Sequence, residues 1–320
     1  MIDFVCMANE AYRHWVELCV RAIERRHPQS KIHLFDLSEA RENRLRESFG
    51  SRASVSYTHF PPAGWTWPAW IDRADFDFVW PNFGLRDALK YHSRRLRMRF
   101  GARNENWMTD KEAHLARAQR AQRMYAQKPH VIRRAAAATA NPLVFIDVDA
   151  IVLRPLEAVF AREFDLAVTT EAPRDVIVGP EPPECIERPS YPWKAINVGV
   201  IFLRNSPRLG ALLDAWVREM ESVYHLSIEQ TALANLIYRR IPDFFESHER
   251  TRQLELEGGA RVSVMALPMA IYNFTHIDRE TRFPAETAVA HFAGGKKQQQ
   301  HWDWVQQMIS RELERPYSSS

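Results

Sequence analysis

Apolar positions along this chain follow two patterns, short continuous runs and stripes spaced three to four residues apart, and their alternation predicts a layered α/β domain. Residues 2–7 (IDFVCM) read as a first strand, and Ala8, Asn9 and Glu10 as the turn after it. Residues 12–26 follow as a helix with Trp15, Leu18, Cys19 and Ala22 or Ile23 on one face. His27-Pro28 stops that helix, and residues 31–37 form a second strand. A βαβ start implies a parallel sheet with crossover helices, whose ligands sit beyond the carboxyl ends of the strands. Asn9 stands at such an end, where an Asn serves either a ligand or the geometry of the turn.

Farther on, residues 38–59 suggest a polar helix and a short strand at 54–57. Residues 60–83 have no period and crowd Pro61, Pro62, Trp65, Trp67, Pro68, Trp70, Trp80 and Pro81 together. They read as a packed insertion or as an aromatic platform for a sugar ring. A basic segment with Arg94, Arg95, Arg97 and Arg99 extends this insertion to about residue 103. Residues 110–126 predict a helix that Lys128-Pro129 breaks, and 131–138 predict another. Residues 143–146 (LVFI) are a strand buried on both faces, ending in Asp147-Val148-Asp149 before Ala150-Ile151-Val152. Then come a short helix at 156–161, a strand at 164–170 ending at Glu171, and a proline-rich loop at 172–193 that suits a lid. A strand at 195–204 contains Asn197 and Gly199, and glycine inside a strand marks the close approach of another group. Helices follow at 206–223 and from Ser227, where Ser227 and Gln230 are spaced as a capping box. A strand at 262–267 precedes one at 288–293 that runs into Gly294-Gly295-Lys296-Lys297, and Trp302 starts a last helix. The expectation is one domain over 1–310 with a polar tail at 311–320.

Composition adds limits. The chain has 320 residues, 46% hydrophobic and 26% charged, enough for a sizeable core. Its 43 basic residues nearly balance 40 acidic ones, which gives no argument for nucleic acid and leaves a mild excess that suits a phosphate-bearing ligand. Cys6, Cys19 and Cys185 lack metal-ligand spacing and read as reduced thiols of a cytoplasmic protein. No apolar run reaches membrane-spanning length and no signal peptide is evident, so the expectation is at most a peripheral contact at the inner membrane face.

The chemistry concentrates at two strand ends. Two carboxylates beside a buried strand are costly to bury without a cation. Period-two geometry sends Asp147 and Asp149 the same way, and a bend there would let both reach one hard metal ion through oxygen. The alternative is a solvated pair at a strand edge. His291 offers a neutral ring nitrogen as a ligand. Gly294 and its neighbours let backbone approach phosphate oxygens, and Lys297 supplies charge. Alone, each piece is commonplace; together they make a two-sided diphosphate site.

At these residues the chain resembles the GT-A glycosyltransferases, in particular the glycogenin and lipooligosaccharide galactosyltransferase type. The resemblance rests on residues 4–12, 145–149, 197–200, Glu229-Gln230, and His291-Phe292-Ala293-Gly294 with Lys297, in that order. It implies the GT-A fold, a mixed, mostly parallel central sheet flanked by helices. It implies that Asp147, Asp149 and His291 hold Mn²⁺ (or Mg²⁺) on the diphosphate, with Lys297 and the backbone near Gly294 on phosphate oxygens. Ala8 and Asn9 would contact the nucleoside, Asn197 and Glu171 the donor-sugar hydroxyls, and Gln230 would lie near the anomeric carbon. The implied reaction moves a sugar, with retention, from a UDP-sugar to a hydroxyl of a carbohydrate, a lipid-linked glycan or a protein. Three departures stand out: Asn9 where Asp is common, Glu229 where Asp is usual, and Lys297 without a following Pro-Trp. Segment 60–103 has no counterpart. Two other readings compete: a haloacid-dehalogenase-like phosphatase, against which Ile151 stands where Thr or Val is expected, and a non-catalytic sugar-nucleotide-binding protein.

Overall fold

The computed structural model describes residues 1–62, 123–171, 196–221, 227–293 and 302–315. Most of the Trp/Pro- and Arg-rich insertion, the loop expected at 172–193, and Cys185, Gly294 and Lys297 lie outside the described residues.

The opening βαβ unit forms as expected. Strand β1 (Asp3–Ala8) and strand β2 (Ile32–Asp36) pair in parallel, joined through helix α1 (Arg13–Arg26). Helix α2 (Arg44–Phe49) leads to β3 (Val55–His59), parallel to β2, and β1 takes β4 (Leu143–Ile146) in parallel on its other side. Beyond β4 lies β7 (Ile196–Leu203), antiparallel to β4 and to its next neighbour β6 (Leu166–Thr170). Strand β9 (Arg261–Pro268) runs parallel to β6, and β8 (Thr251–Glu255) closes the edge antiparallel to β9. The order is β3-β2-β1-β4-β7-β6-β9-β8, a mixed and mostly parallel sheet. Every residue of β1, β2, β4 and β6 is buried, as strands covered on both faces must be.

Two layers cover it. One face packs Phe4, Val144, Ile146 and Phe202 against Trp15, Val16, Cys19 and Ile23 of α1. The same layer holds a two-stranded sheet of β5 (Ala150–Val152) and β10 (Val289–His291), and the last described helix, residues Trp302–Glu314. The other face packs Val5, Phe145 and Ile201 against α3 (Lys128–Ala136), α4 (Leu209–Met220) and α5 (Ile228–Tyr238). The stripe Leu209, Leu212, Leu213, Trp216 and Met220 of α4 is fully buried, worth about 1.5–3 kcal/mol per large side chain. A one-turn helix, α6 (Met269–Tyr272), follows β9, so the last helix is α7.

Several local expectations change. The helix expected at 110–126 is described from residue 123 and stops at a turn at 126–127, as expected, and Lys128-Pro129 then opens α3 earlier than the expected start at 131; proline suits a first turn, whose N–H groups lack helical partners anyway. The bend considered at Asp147–Asp149 does form, between β4 and β5. Ser227 occupies the N-cap of α5 without a side-chain cap bond, so the capping box with Gln230 does not form. Helix α7 runs through Glu314, into the stretch expected as a polar tail. Strand β8 went unread because only Leu254 of its residues is buried, which leaves no alternation to detect. Cys6 and Cys19 are buried free thiols; the Cys19 thiol is pushed well up by its hydrogen bond with Cys6 and by burial. Among the described residues no helix is long and apolar enough to cross a membrane.

The pairing of β6 with β7 slips at one point. Val168 faces Ile201, but the next residue, Thr169, faces Asn197, so residues 198–200 bulge from the pairing with β6, while Val200 keeps Ile146 of β4 as its partner. Asn197 Oδ1 closes the bulge by accepting from the Gly199 N–H at 2.9 Å.

Candidate active site

The carboxyl ends of β1, β4 and β6 and the amino end of β7 meet at one edge of the sheet, because β7 runs against its neighbours. That edge gathers Ala8, Asp147, Glu171 and Asn197. His291 arrives from the last strand: β10 pairs with β5, which sets His291 opposite Ala150, and Phe292 N–H donates to the Asp149 carbonyl at 2.9 Å. A bend directly after β4 thus brings Asp147 and Asp149 to a histidine far away in sequence. Asp147, Asp149 and His291 each offer a donor atom, and these atoms lie within 4.8 Å of one another. Asp149 and His291 are buried and Asp147 is half-buried.

His291 Nε2 stands 3.5 Å from Asp149 Oδ1, longer than a good hydrogen bond and suited to two donors of one cation. The set is rich in oxygen with one imidazole, which fits a divalent ion of the Mn²⁺ or Mg²⁺ kind.

Lys128 was missed in sequence. It is buried at 2% exposure, with Nζ 3.2 Å from Asp147 and 3.2 Å from Glu229 Oε1, and it donates to the Val198 carbonyl at 3.3 Å. The rings of Phe145 and Tyr125 flank it at 5.2 and 5.8 Å. Burial alone would push Lys128 toward its neutral form; the charges of Asp147 and Glu229 outweigh that and hold its pKa above the ordinary lysine value. Glu229 moves the other way from a usual ion-paired carboxylate: burial raises it, Lys128 draws it back, and Asp147 raises it again. Lys128 lies between two carboxylates, Asp147 and Glu229, while Asp149 faces His291, an arrangement with room for a further cation on the side of Asp149. A signal existed: Lys128 lies at helical spacing from Val131, Ile132 and Ala135, the buried stripe of α3.

At Gly199 the site leaves no free space for a side chain. A Cβ there would sit 2.4 Å from His291 Cε1 and 2.8 Å from Nδ1, so the ring lies directly against the bulge. Gly199 O also accepts from Asp147 N–H at 2.8 Å. The close approach expected from a glycine inside a strand is that of the candidate metal ligand.

The other expected residues are placed as follows. Ala8 ends β1, fully buried, and its carbonyl accepts from Leu37 N–H at 2.7 Å. Asn9 Oδ1 caps a 3₁₀ turn (Glu10–Tyr12) by accepting from Ala11 N–H at 3.1 Å, and Nδ2 reaches Met124 Sδ at 3.4 Å. Asn197 is half-buried in the bulge, its oxygen engaged with Gly199. Glu171 is half-buried just past β6, its carbonyl 3.2 Å from His248 Nε2. Gln230 is half-buried in the first turn of α5, next to Glu229. That turn is pinned by Trp216 of α4, whose Nε1 donates to the Glu229 carbonyl at 2.7 Å.

Residues 91–311 match the family model described as nucleotide-diphospho-sugar transferase. No curated protein matches the chain. Among solved structures, it is similar to the galactosyltransferase LgtC in complex with donor and acceptor sugar analogues, at 12% identity over 97% of this chain and 95% of that one, with a TM-score of 0.44. The glycosyltransferase GlyE of Streptococcus pneumoniae matches at 12% identity over 100% and 67%, TM-score 0.46. Mouse xyloside xylosyltransferase 1 matches at 11% over 91% and 97%, TM-score 0.43.

Proposed function

We propose that this chain, which belongs to the nucleotide-diphospho-sugar transferase family, moves a sugar from a UDP-sugar to a hydroxyl acceptor on a carbohydrate, a lipid-linked glycan or a protein. Sugar transfer is the family's reaction; the donor base, the ion and the acceptor class are our reading. The observation that carries it is the convergence of Asp147, Asp149 and His291 at the carboxyl edge of the sheet.

Mn²⁺ or Mg²⁺ held by those three residues would supply positive charge to the diphosphate, charge that counts most as the leaving oxygen develops its own. Lys297 and the backbone near Gly294, outside the described residues, would meet the same phosphates. Ala8 and Asn9 would face the nucleoside, while Asn197 and Glu171 orient donor hydroxyls. Gln230 would stand beside the anomeric carbon, on a turn made rigid by Trp216. Glu229 is engaged with Lys128 and buried, which leaves that turn without a free carboxylate base; transfer with retention is our reading from the family resemblance.

The test is thermal stabilisation by UDP, GDP, CDP and UDP-sugars, each with Mn²⁺ and with chelator. A Mn²⁺-dependent shift with uridine nucleotides, absent in Asp149→Ala, is expected. Donor turnover should fall on the order of 10²-fold or more in that variant. No shift with any nucleotide would overturn the reading, and phosphate release from a simple phosphomonoester would favour the phosphatase.

A further inference from the structure

Asn273 is entirely buried at the C-cap of α6, and no part of the proposed reaction uses it. Its Oδ1 lies 2.7 Å from His291 Nδ1. Its Nδ2 lies 2.8 Å from Thr169 Oγ1 and 3.2 Å from the Asn197 carbonyl. A backbone carbonyl can only accept, so the amide face turned to Asn197 must be the NH₂. Thr169 Oγ1 already donates to the same carbonyl at 2.8 Å, which leaves its lone pairs for Asn273. Both neighbours therefore fix the orientation of the carboxamide, and its oxygen must face the imidazole. An oxygen acceptor 2.7 Å from Nδ1 requires a proton on that nitrogen. In the neutral ring, the form that can ligate a metal, the lone pair is then on Nε2, turned toward Asp149 Oδ1.

We propose that Asn273 is a positioning residue that fixes His291 in the Nδ1–H tautomer and so presents Nε2 as a metal donor. The inference rests on reading Asp147, Asp149 and His291 as the ligands. Two further contacts hold the residue in this pose. Its backbone N–H donates to the Phe274 carbonyl at 2.8 Å, one residue past Asn273, and its face lies against Gly199. The chain Asn197 carbonyl, Asn273 amide, His291 imidazole also joins the bulge of β7 to the candidate ligand. Partners of this kind, accepting from the second ring nitrogen, orient a ligating histidine and raise its basicity.

The experiment has two arms. In the native, metal-free protein labelled at histidine, long-range ¹H–¹⁵N spectra report the tautomer of the His291 ring, identified as the signal lost in His291→Gln. A protonated Nδ1 and bare Nε2 are expected; the opposite tautomer, or an average of both, would overturn the proposal without any variant at 273. In the second arm, Mn²⁺ affinity is measured by titration of the free-ion electron paramagnetic resonance signal. Asn273→Leu removes the acceptor and should weaken binding about 10–100-fold. Asn273→Asp keeps an acceptor for Nδ1–H and should bind more tightly than Asn273→Leu. Near-UV circular dichroism checks that both are folded. Asn273→Leu folded and with native affinity would overturn the proposal. Native protein that binds no Mn²⁺, and behaves like Asp149→Ala, would defeat the metal reading, and the tautomer spectra would still decide the role of Asn273.

Discussion

Gly199→Ala tests the packing of the site with one methyl group. The backbone at Gly199 lies outside the left-handed region, so alanine strains nothing by its dihedral angles. The methyl itself would stand 2.4 Å from His291 Cε1, 2.8 Å from Nδ1 and 3.0 Å from Asn197 Oδ1. Carbon atoms settle at about 3.5–4.0 Å, so the ring must retreat by about 1 Å. It has little room to do so, since Nδ1 is held at 2.7 Å by Asn273 and the backbone is tied to Phe274. Retreat therefore lengthens the Asn273 bond and turns Nε2 away from Asp149. Overpacking of this kind costs about 1–3 kcal/mol of stability. A loosened ligand shell should lower Mn²⁺ affinity about 10-fold or more, and a misplacement near 1 Å should lower turnover about 10²-fold. Urea denaturation, Mn²⁺ titration and donor turnover read the three effects. The decisive comparison is the double-mutant cycle with His291→Ala. With the ring gone only the 3.0 Å contact with Asn197 Oδ1 remains of these three, so Gly199→Ala should cost far less in that background. An equal cost in both backgrounds would refute the reasoning.

Lys128→Met strands Asp147 and Glu229 without their counter-charge and should cost about 3–5 kcal/mol near neutral pH. Losing the ammonium raises Glu229 further above its ordinary range, and stability tied to a raised carboxyl pKa is present at low pH and lost as pH rises through the folded value. The deficit in urea melts should therefore shrink from about pH 8 to about pH 5; a constant deficit would show that Lys128 acts by packing alone. Gln230→Ala should leave melting temperature and Mn²⁺ affinity unchanged while kcat falls, and an unchanged kcat would remove Gln230 from the reacting centre. Phe292→Ala opens a cavity between Trp15 and Trp304, whose rings lie 5.5 and 6.2 Å away, and should cost about 3–5 kcal/mol in thermal and denaturant melts.

What could be read in advance divides along physical lines. The runs that became β1, β2, β4 and β6 were legible because both faces are covered, so apolar character is continuous and needs no partner to be noticed. The stripes of α1 and α4 were legible because each buries one face. Asp147, Asp149 and His291 were legible because charged or titratable residues at the ends of buried runs are costly unless they serve something. Lys128 was hidden by the proline beside it, which suggested a break where a first turn begins. Asn273 has no local signal, since its partners Thr169, Asn197 and His291 are distant in sequence. The bulge at 198–200 exists only as a mismatch between two strands, so neither strand alone contains it.

That bulge also sets when in the chain's synthesis the candidate donors can come together. Val198 O holds Lys128, Gly199 O holds the Asp147 N–H, Gly199 seats the ring of His291, and Asn197 O fixes the amide behind it. Strand β7 enters last into the gap between β4 and β6 in chain order, and His291 is added later still. A ribosome emits these residues from the amino end, seconds apart. The candidate donors therefore cannot converge on a nascent chain until His291 has emerged, and any ion uptake there would report folding of the sheet through β10 rather than of its first half.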